Sequence, residues 1–456
     1  GYVPQTIAPK QGKDFRVVLK EDSKMLDEVV VVGYGTAKKS SISGAVASVK
    51  ADELPTAASA SVGSMLRGRS SGMNITQNSA NPGASMNISI RGGLSGQNPL
   101  IVIDGVPQVS SKTVTAGTAY SGGEKDNGLI NLNPNDIETI DILKDASATA
   151  LYGENAANGV IIIERKRVSQ SPVRIRYTFT PEISFADLSS YDLCNAAQKL
   201  ELERMAGLYT TTDGSLDQSY YDKLAKVNSG IDTDWISKPV RNSFSHSHSL
   251  SISGRGSGLD YNITGNFSNT AGVMKDDARD RYGLNVYLSY RAVDKLILTL
   301  RASHEQVSVK NSKYGDFSSY LEANPYESPY DEEGNWKSSF SFGENNPLYE
   351  ASLSSFNKSD ARKQTISLDA RYNFKPNLYV TAQASYLTSR ETTDVFVSPA
   401  SNAFASVTSL DQKGSYQLGN LGTDEWSAKI VGNWIHSFDN EGTMFTLNVG
   451  GEAKHS

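Results

Sequence analysis

From Pro172 onward the sequence alternates with a period of two, over segments longer than a soluble fold ordinarily uses. Leu259, Tyr261, Ile263 and Phe267 fall on one face of a strand, and Asp260, Asn262, Thr264 and Asn266 on the other. Tyr282, Leu284, Val286, Leu288 and Tyr290 repeat the pattern against Asn285 and Ser289. Ile366, Leu368, Ala370, Tyr372 and Phe374 do so against Ser367, Asp369, Arg371 and Asn373. Further candidates are 173–185, 244–253, 296–309, 378–389, 426–438 and 443–450. Most of these run to about nine to thirteen residues, the reach of a tilted strand across a bilayer. A β-sandwich also alternates, but its strands average about five or six residues. Connections alternate between short turns such as Lys375-Pro376-Asn377 and long excursions such as 310–362. Aromatics gather near strand ends, as at Tyr282/Tyr290 and Trp426/Trp434. Together these are the marks of an outer-membrane barrel with interfacial girdles. The Leu259 face is then expected to meet lipid and reject charge, while Asn262 and Thr264 tolerate it.

Bulk properties agree and exclude other classes. No stretch of about 18 apolar residues marks a transmembrane helix. A mean hydropathy of −0.40 suggests a soluble protein until one notes that a barrel's two alternating faces average out. Net charge is −6, so there is no electrostatic footprint for nucleic acid. Cys194 is the single cysteine, which rules out an internal disulfide and a Cys-based zinc site. Gly1-Tyr2-Val3 carries no leader pattern, and we expect the chain to begin after its true N-terminus.

Ahead of the alternating region the texture differs. Phe15–Leu19 reads as the last strand of a small β domain over 1–24. The segment LDEVVVVGYG follows at Leu26–Gly35, with four consecutive valines between an acidic pair and Gly33-Tyr34-Gly35. Taken by itself it reads as an ordinary buried strand. Outside a packed domain it is suited to adding a strand to another protein's sheet edge. Residues 37–168 mix short strands with glycine-rich turns. Met73-Asn74-Ile75, Met86–Arg91, Leu100–Ile103 and Val160–Glu164 are strand candidates. Asp104-Gly105 is a tight-turn dipeptide, and Pro107 excludes a central strand position. Asn133-Pro134 suits a short helix with Asp136 and Glu138 near its positive end. Ala146–Tyr152 suits another, ended by Gly153, and Asn158-Gly159 turns the chain into the next strand. Tyr191–Gly207 predicts a helix in a long connection, with Leu193, Ala196/Ala197, Leu200 and Met205 on one face.

No catalytic set emerges. His246 and His248 share a strand face but lack a third metal ligand at a recognisable spacing. Gly254-Arg255-Gly256-Ser257-Gly258 lies between two strands rather than a strand and a helix, so it reads as a turn, not a phosphate loop. Asp276, Asp277 and Asp280 read as a solvated charge run in preference to a calcium loop. We expect no cofactor, no metal and no enzymatic activity. Lumen-facing Tyr, Trp, Asn, Asp and Arg are better suited to stacking on sugars and binding their hydroxyls.

These residues resemble the SusC/RagA-like family of TonB-dependent outer-membrane transporters. LDEVVVVGYG looks like the family's TonB box. RGGLSGQNPLIVIDGVP, from Arg91 to Pro107, and LNPNDIETIDILKDASATALYGENAANGVIIIERK, from Leu132 to Lys166, look like its plug-domain signatures. The stretch 191–235 and Phe244–Tyr290 are similar to its first long loop and early barrel hairpins, and the resemblance covers essentially all of the chain. It implies a mainly β chain: an α+β plug domain, then the first part of a transmembrane antiparallel β-barrel, preceded by the last strand of a small β-sandwich domain. Boundaries are expected at 1–24 for the end of a carboxypeptidase-regulatory-like domain, 25–36 for the TonB box and linker, 37–168 for the plug and 169–456 for the barrel. The family closes about 22 strands where we count roughly nine, so we expect a fragment. The resemblance assigns TonB binding to Asp27, Glu28, Val29, Val30, Val31, Val32 and Gly33. It assigns structural plug roles to Arg91, Gly92, Asn98, Pro99, Asp104, Gly105, Pro107, Asn133, Pro134, Asp136, Lys144, Asp145, Tyr152, Gly153, Asn158 and Gly159. It implies an importer in the outer membrane of a Gram-negative, Bacteroidetes-like bacterium, with TonB, a SusD-like surface lipoprotein and outer-membrane lipid as partners. Glycans are the expected substrate. Peptides, a siderophore or cobalamin are alternatives within the fold, and a secreted soluble glycan-binding protein or adhesin is the alternative outside it.

Overall fold

The computed structural model describes residues 29–32, 35–38, 46–50, 62–77, 86–91, 98–108, 129, 132, 136–144, 152, 156–166, 173–340, 344–437 and 444–455. The expected strand Phe15–Leu19, and the expected helix over Ala146–Tyr152 except for Tyr152, lie outside these residues. The first elements are β1 (Val29–Val32) and β2 (Gly35–Lys38), which form a two-stranded antiparallel sheet.

The plug is built on a mixed five-stranded sheet. Its strands are β3 (Val46–Lys50), β6 (Leu100–Ile103), β7 (Val106–Gln108), β8 (Ile137–Leu143) and β9 (Val160–Arg165), in the order β3-β8-β9-β6-β7. A helix, α1 (Val62–Leu66), and the hairpin β4 (Met73–Gln77) with β5 (Met86–Ile90) pack beside it. β9 explains the arrangement. Val160-Ile161-Ile162-Ile163 is a continuous apolar run, the signature of a strand covered on both faces. Ile161 and Ile163 join one core with Val62, Leu66, Ile75 and Ile88, while Val160 and Ile162 join a second with Val102, Leu143 and Ala156. Gly159 enters this strand at φ +95°, where a Cβ would sit 2.7 Å from Ile90 Cδ1. The short helix expected to carry Glu138 does not reach it. Asp136 is helical and Glu138 is already in β8. Burial of Ile137, Ile140, Ile142 and Leu143 in the sheet outweighs the local helix signal.

The remaining strands form an antiparallel meander: β10 (Arg174–Ser184), β11 (Ser243–Gly256), β12 (Leu259–Ala271), β13 (Ala278–Val293), β14 (Leu296–Lys310), β15 (Phe356–Lys375), β16 (Leu378–Val397), β17 (Ser415–Ser437) and β18 (Met444–His455). Cross-strand register aligns Leu288, Leu300, Leu368, Ala384 and Ala428 in one outward row. Tyr282, Tyr386 and Trp426 lie toward one margin of this apolar band, and Tyr290, Tyr372 and Trp434 toward the other; all six are exposed. No described helix is long and apolar enough to cross a membrane.

The strands are longer than their apolar alternation implies. β17 has 23 residues, which at about 3.3 Å each far exceeds an apolar band about 25 Å tall. The expected loop 310–362 shortens to 311–355, because β15 begins at Phe356. Above the band the outward positions are polar, including Gln364, Arg390 and Asp424, so periodicity in hydrophobicity ends where the hydrogen-bonded ladder does not.

All long connections emerge at one end of the sheet, opposite the short turns. Residues 185–242 hold α2 (Ala196–Met205) and α3 (Gln218–Asn228). The helix expected from Tyr191 starts only at Ala196. Asn195 and Gln198 form a reciprocal capping box there. Its buried face is Ala196, Leu200 and Glu203, whereas Leu193 and Met205 are exposed. Ala196, Leu200, Tyr209 and Tyr326 form one small core, and Trp235, Tyr320, Phe340 and Leu348 another, so loops 185–242 and 311–355 fold together.

Candidate functional site

The plug meets the barrel wall through a group of polar contacts. β6 and β7 are joined by Asp104 and Gly105, with Ile103 opposite Val106. Both turn residues have positive φ, +49° and +82°, as a two-residue hairpin turn matched to strand twist demands. The tip lands on the barrel. Lys429 Nζ donates to the Gly105 carbonyl at 3.4 Å, and a Cβ on Gly105 would lie 3.5 Å from Gln383 Nε2. Asp104 Oδ1 accepts from the Arg165 backbone N–H at 3.1 Å. The Arg165 guanidinium lies 3.5 Å from Glu305 Oε1. At the neighbouring strand ends, the Lys166 carbonyl accepts from Asn262 Nδ2 at 2.9 Å and the Leu132 carbonyl from Arg281 Nη1 at 3.0 Å.

Asp136 is the most deeply committed group of this junction. It is buried, and its Oδ2 accepts from Asn266 Nδ2 at 2.7 Å and Asn285 Nδ2 at 2.6 Å. Burial pushes its carboxyl up to about 6, with Glu305 adding to the rise, against the opposing pull of Arg165 and the two amides. Asp104, Asp136, Arg165, Asn262, Asn285 and Arg301 line one small cleft here. Such contacts can be exchanged for water if the two surfaces separate. An apolar seam would instead cost about 25 cal/mol for each Å² exposed. This junction also corrects the expectation that Asn262 and Thr264 tolerate charge: Thr264 is buried and Asn262 is bonded to the plug, so this inner face is packed rather than solvated.

The residues singled out by sequence divide between scaffold and junction. Asp27, Glu28, Gly33, Gly92, Asn133, Pro134, Asp145 and Gly153 lie outside the described residues. Arg91 has φ +51° and donates its backbone N–H to Gly72 O at 2.7 Å. Asn98 Oδ1 accepts from Ile88 N at 3.0 Å, and Lys144 Nζ donates to Ser71 O at 2.7 Å. Pro99 is buried next to β6, Pro107 lies in the edge strand β7, and Tyr152 packs on the second plug core. Asn158 and Gly159 precede β9. Asp104, Gly105 and Asp136 alone among these reach the junction contacts just described. Arg165, Asn266, Arg281, Asn285, Glu305 and Lys429 were missed. The signal that could have found the barrel members is a charged or amide residue on the inward parity of a lipid-crossing strand.

Val29–Val32 is not a lone strand. Val29 faces Lys38, Val30 faces Ala37, Val31 faces Thr36 and Val32 faces Gly35. Two residues join the strands, and among the described residues this sheet has no third member.

On the loop side, Glu203 is buried and accepts from the hydroxyls of Tyr209 and Tyr326, with Lys223 Nζ 3.6 Å away. Burial raises its carboxyl, but the Tyr209 hydrogen bond and the Lys223 and Lys199 charges hold it below the ordinary value. No group of three or more His, Cys, Asp or Glu suited to a metal occurs among the described residues. His246 and His248 belong to an aromatic cluster with Phe244, Phe179 and Phe267. The run Asp276, Asp277 and Asp280 diverges: Asp276 faces Lys310, Asp280 accepts from Asn269, and Asp277 is buried under its own loop.

Comparison with known proteins follows the same division. Residues 38–160 match the TonB-dependent Receptor Plug Domain family. The chain is 35% identical over 295 residues to TonB-dependent receptor SusC of Bacteroides thetaiotaomicron, covering 63% of this chain and 27% of that protein. It is 29% identical over 339 residues to TonB-dependent receptor P26 of Formosa agariphila, covering 74% and 32% respectively. It thus spans about a third or less of the length of these relatives. Among solved structures, the RagAB peptide importer in its open-open state matches with a TM-score of 0.74 at 21% identity, over 93% of this chain and 48% of that one. The ferric enterobactin receptor PfeA of Pseudomonas aeruginosa matches with a TM-score of 0.53 at 15% identity, over 90% and 48%.

Proposed function

Because this chain is a SusC/RagA-like TonB-dependent receptor of the outer membrane, carrying the plug and part of the barrel, we propose that it serves energy-coupled import of oligomeric nutrients, with glycans as the first substrate class. Substrate is captured on the long-loop side. TonB pairs with the valine segment, and tension transmitted through it displaces the plug. The observation that carries this reading is the junction of Asp104, Asp136 and Arg165 with the barrel wall. Its polar contacts hold a folded domain in place yet permit release without exposing an apolar seam.

Residues Asp27, Glu28, Val29, Val30, Val31, Val32 and Gly33 are proposed as the TonB contact. Arg91, Asn98, Pro99, Pro107, Lys144, Tyr152, Asn158 and Gly159 are proposed as plug scaffold. A SusD-like lipoprotein is the proposed partner of the loop domain. Its two cores give it a defined surface to present.

A second reading, peptide import, draws support from the fold likeness to the RagAB peptide importer. The test is uptake of labelled oligosaccharides and labelled peptides by cells making the full-length protein, with and without TonB. Saturable uptake of oligosaccharide that stops without TonB supports the first reading. Uptake confined to peptides supports the second. Uptake independent of TonB overturns both.

A further inference from the structure

The outer loops carry a rigidly mounted aromatic pair. Tyr330 and Trp336 face each other across an antiparallel hairpin of loop 311–355, with ring centroids 4.4 Å apart and planes tilted by 33°. The hairpin is held at both ends. At its tip, Gly334 takes φ +84°, and Asp331 Oδ1 accepts from the Asn335 backbone N–H at 2.7 Å. At its base, Asn346 Nδ2 donates to the carbonyls of Pro329 and Lys337 at 3.0 and 2.8 Å. Asn346 is wholly buried, and its Oδ1 accepts from the backbone N–H of Leu348, a member of the core around Trp235 and Tyr320. The pair therefore stands on a folded domain.

A cross-strand aromatic pair helps to close a hairpin, but closure alone does not require open rings. Tyr330 is 42% and Trp336 38% exposed, above a buried base. Neither the Tyr330 hydroxyl nor the Trp336 indole N–H makes a hydrogen bond among the described residues. Around the rings the sequence is polar: Asp331, Glu332, Glu333 and Asn335 in the turn, Lys337, Ser338 and Ser339 after it. The apolar area is thus that of two rings, far below the roughly 800 Å² that each partner buries in a stable protein interface. It suits a sugar ring, which offers a C–H face to the aromatics and hydroxyls to their polar tips and to the exposed carboxylates of Glu332 and Glu333. The three acids of the turn repel an anionic ligand. Resting on the import role proposed above, we propose that Tyr330 and Trp336 form an outer-surface subsite for a neutral oligosaccharide. The rings stack on one or two sugar units before the chain enters the barrel, and the acidic turn turns away uronic-acid oligosaccharides.

Hydroxyl-radical footprinting of the full-length receptor, read residue by residue, tests this together with surface capture by cells lacking TonB. The probes are neutral gluco-, xylo- and manno-oligosaccharides, oligogalacturonate and a peptide mixture. A neutral oligosaccharide should protect Tyr330 and Trp336, and oligogalacturonate and peptides should not. Trp336→Ala should weaken capture of that oligosaccharide about tenfold or more, Trp336→Tyr should restore most of it, and recovery of the lipoprotein lid should not change. Rings that are unreactive before sugar is added are covered by another part of the receptor, which overturns the subsite. So does protection by peptides in place of sugar. Equal loss of capture in Trp336→Ala and Trp336→Tyr, with faster hydrogen exchange across 328–338, reduces the pair to hairpin closure and overturns it as well. Unchanged capture by Trp336→Ala, while the wild type imports the sugar through TonB, overturns the subsite and leaves the import role standing. Failure of the wild type to capture any oligosaccharide overturns both.

Discussion

Replacing Asp136 probes how the plug is seated. Its carboxyl rises from the ordinary 3.8 to about 6, a shift of about two units at ~1.4 kcal/mol each. Keeping it ionised in place therefore costs about 3 kcal/mol at neutral pH. A carboxyl with a raised native pKa binds more protons seated than unfolded between those values. Its stabilisation is full below 3.8, fades as pH rises through 6 and is gone above it. Seating should thus strengthen from pH 7 to pH 5. Asp136→Asn removes the charge and keeps an oxygen to accept from Asn266 and Asn285. Its amide can also donate to Asn266 Oδ1 and Asn285 Oδ1, which accept no hydrogen bond among the described residues. This variant should seat as firmly as wild type or more so at pH 7, and lose the pH dependence. Asp136→Ala leaves the buried Asn266 amide and the half-buried Asn285 amide without their acceptor, at about 1–3 kcal/mol each, and should fall about 2 kcal/mol below the Asn variant. The assay is the urea concentration at which the plug of the full-length protein becomes protease-sensitive, at pH 5 and 7. Wild-type seating that is flat or stronger at pH 7, or an Asn variant as weak as the Ala variant, would refute the reasoning.

Other sites give sharper single outcomes. Leu368→Arg, in the middle of the lipid-facing row, should cost about 2–4 kcal/mol in folding into vesicles, whereas Arg362→Leu, outward but above the band, should leave folding unchanged by heat-modifiable migration. Gly159→Ala combines a positive φ with a Cβ 2.7 Å from Ile90 and should lower plug stability by about 2 kcal/mol or more, read as reduced outer-membrane abundance. Glu203→Gln removes the charge that faces Lys223 and Lys199 and should loosen the loop domain by up to about 3 kcal/mol, seen as faster hydrogen exchange in α2 and α3. Because the Glu203 carboxyl is held below its ordinary value, the wild-type loop domain should lose that stabilisation as pH falls below about 4.5.

What the sequence disclosed, and what it withheld, follows from how far each signal reaches. Period-two alternation found the strands wherever one face meets lipid, as in Tyr282–Tyr290 and Ile366–Phe374. It stopped short in β15, β16 and β17, because above the membrane both faces are polar and only the backbone ladder persists. Turn chemistry was legible at Asp104-Gly105, where the residues needed for positive φ are few. The start of α2 was not, because Tyr191–Cys194 continue an apolar pattern that the Asn195 cap overrides. The junction was legible by halves. Asp104, Gly105 and Asp136 stand in local motifs, but the barrel residues Asn266, Asn285 and Lys429 that Asp136 and Gly105 meet, and Glu305 that Arg165 meets, lie 130 or more residues away and are brought together only by barrel register.

Sheet order also decides where tension acts first. β3 is the first described strand of the plug sheet after the valine hairpin, and among the described residues it lies at the edge of that sheet, paired only with β8. Among the described residues, the polar contacts between plug and barrel given above fall on residues 104–105, 132, 136, 165 and 166. A pull entering through Val29–Val32 therefore meets the β3–β8 ladder before it meets the barrel anchors. Five residue pairs join β3 to β8, from Val46/Leu143 to Lys50/Thr139. At roughly 1 kcal/mol of net stabilisation per backbone hydrogen bond, this ladder is of the same order as the two charge-assisted bonds to Asp136 before the cost of keeping that carboxyl ionised is subtracted. Neither side is so strong that the other must fail first. Which one yields is then set by local substitutions of the kind Asp136→Asn and Asp136→Ala provide, the first shifting failure toward β3 and the second toward the barrel wall.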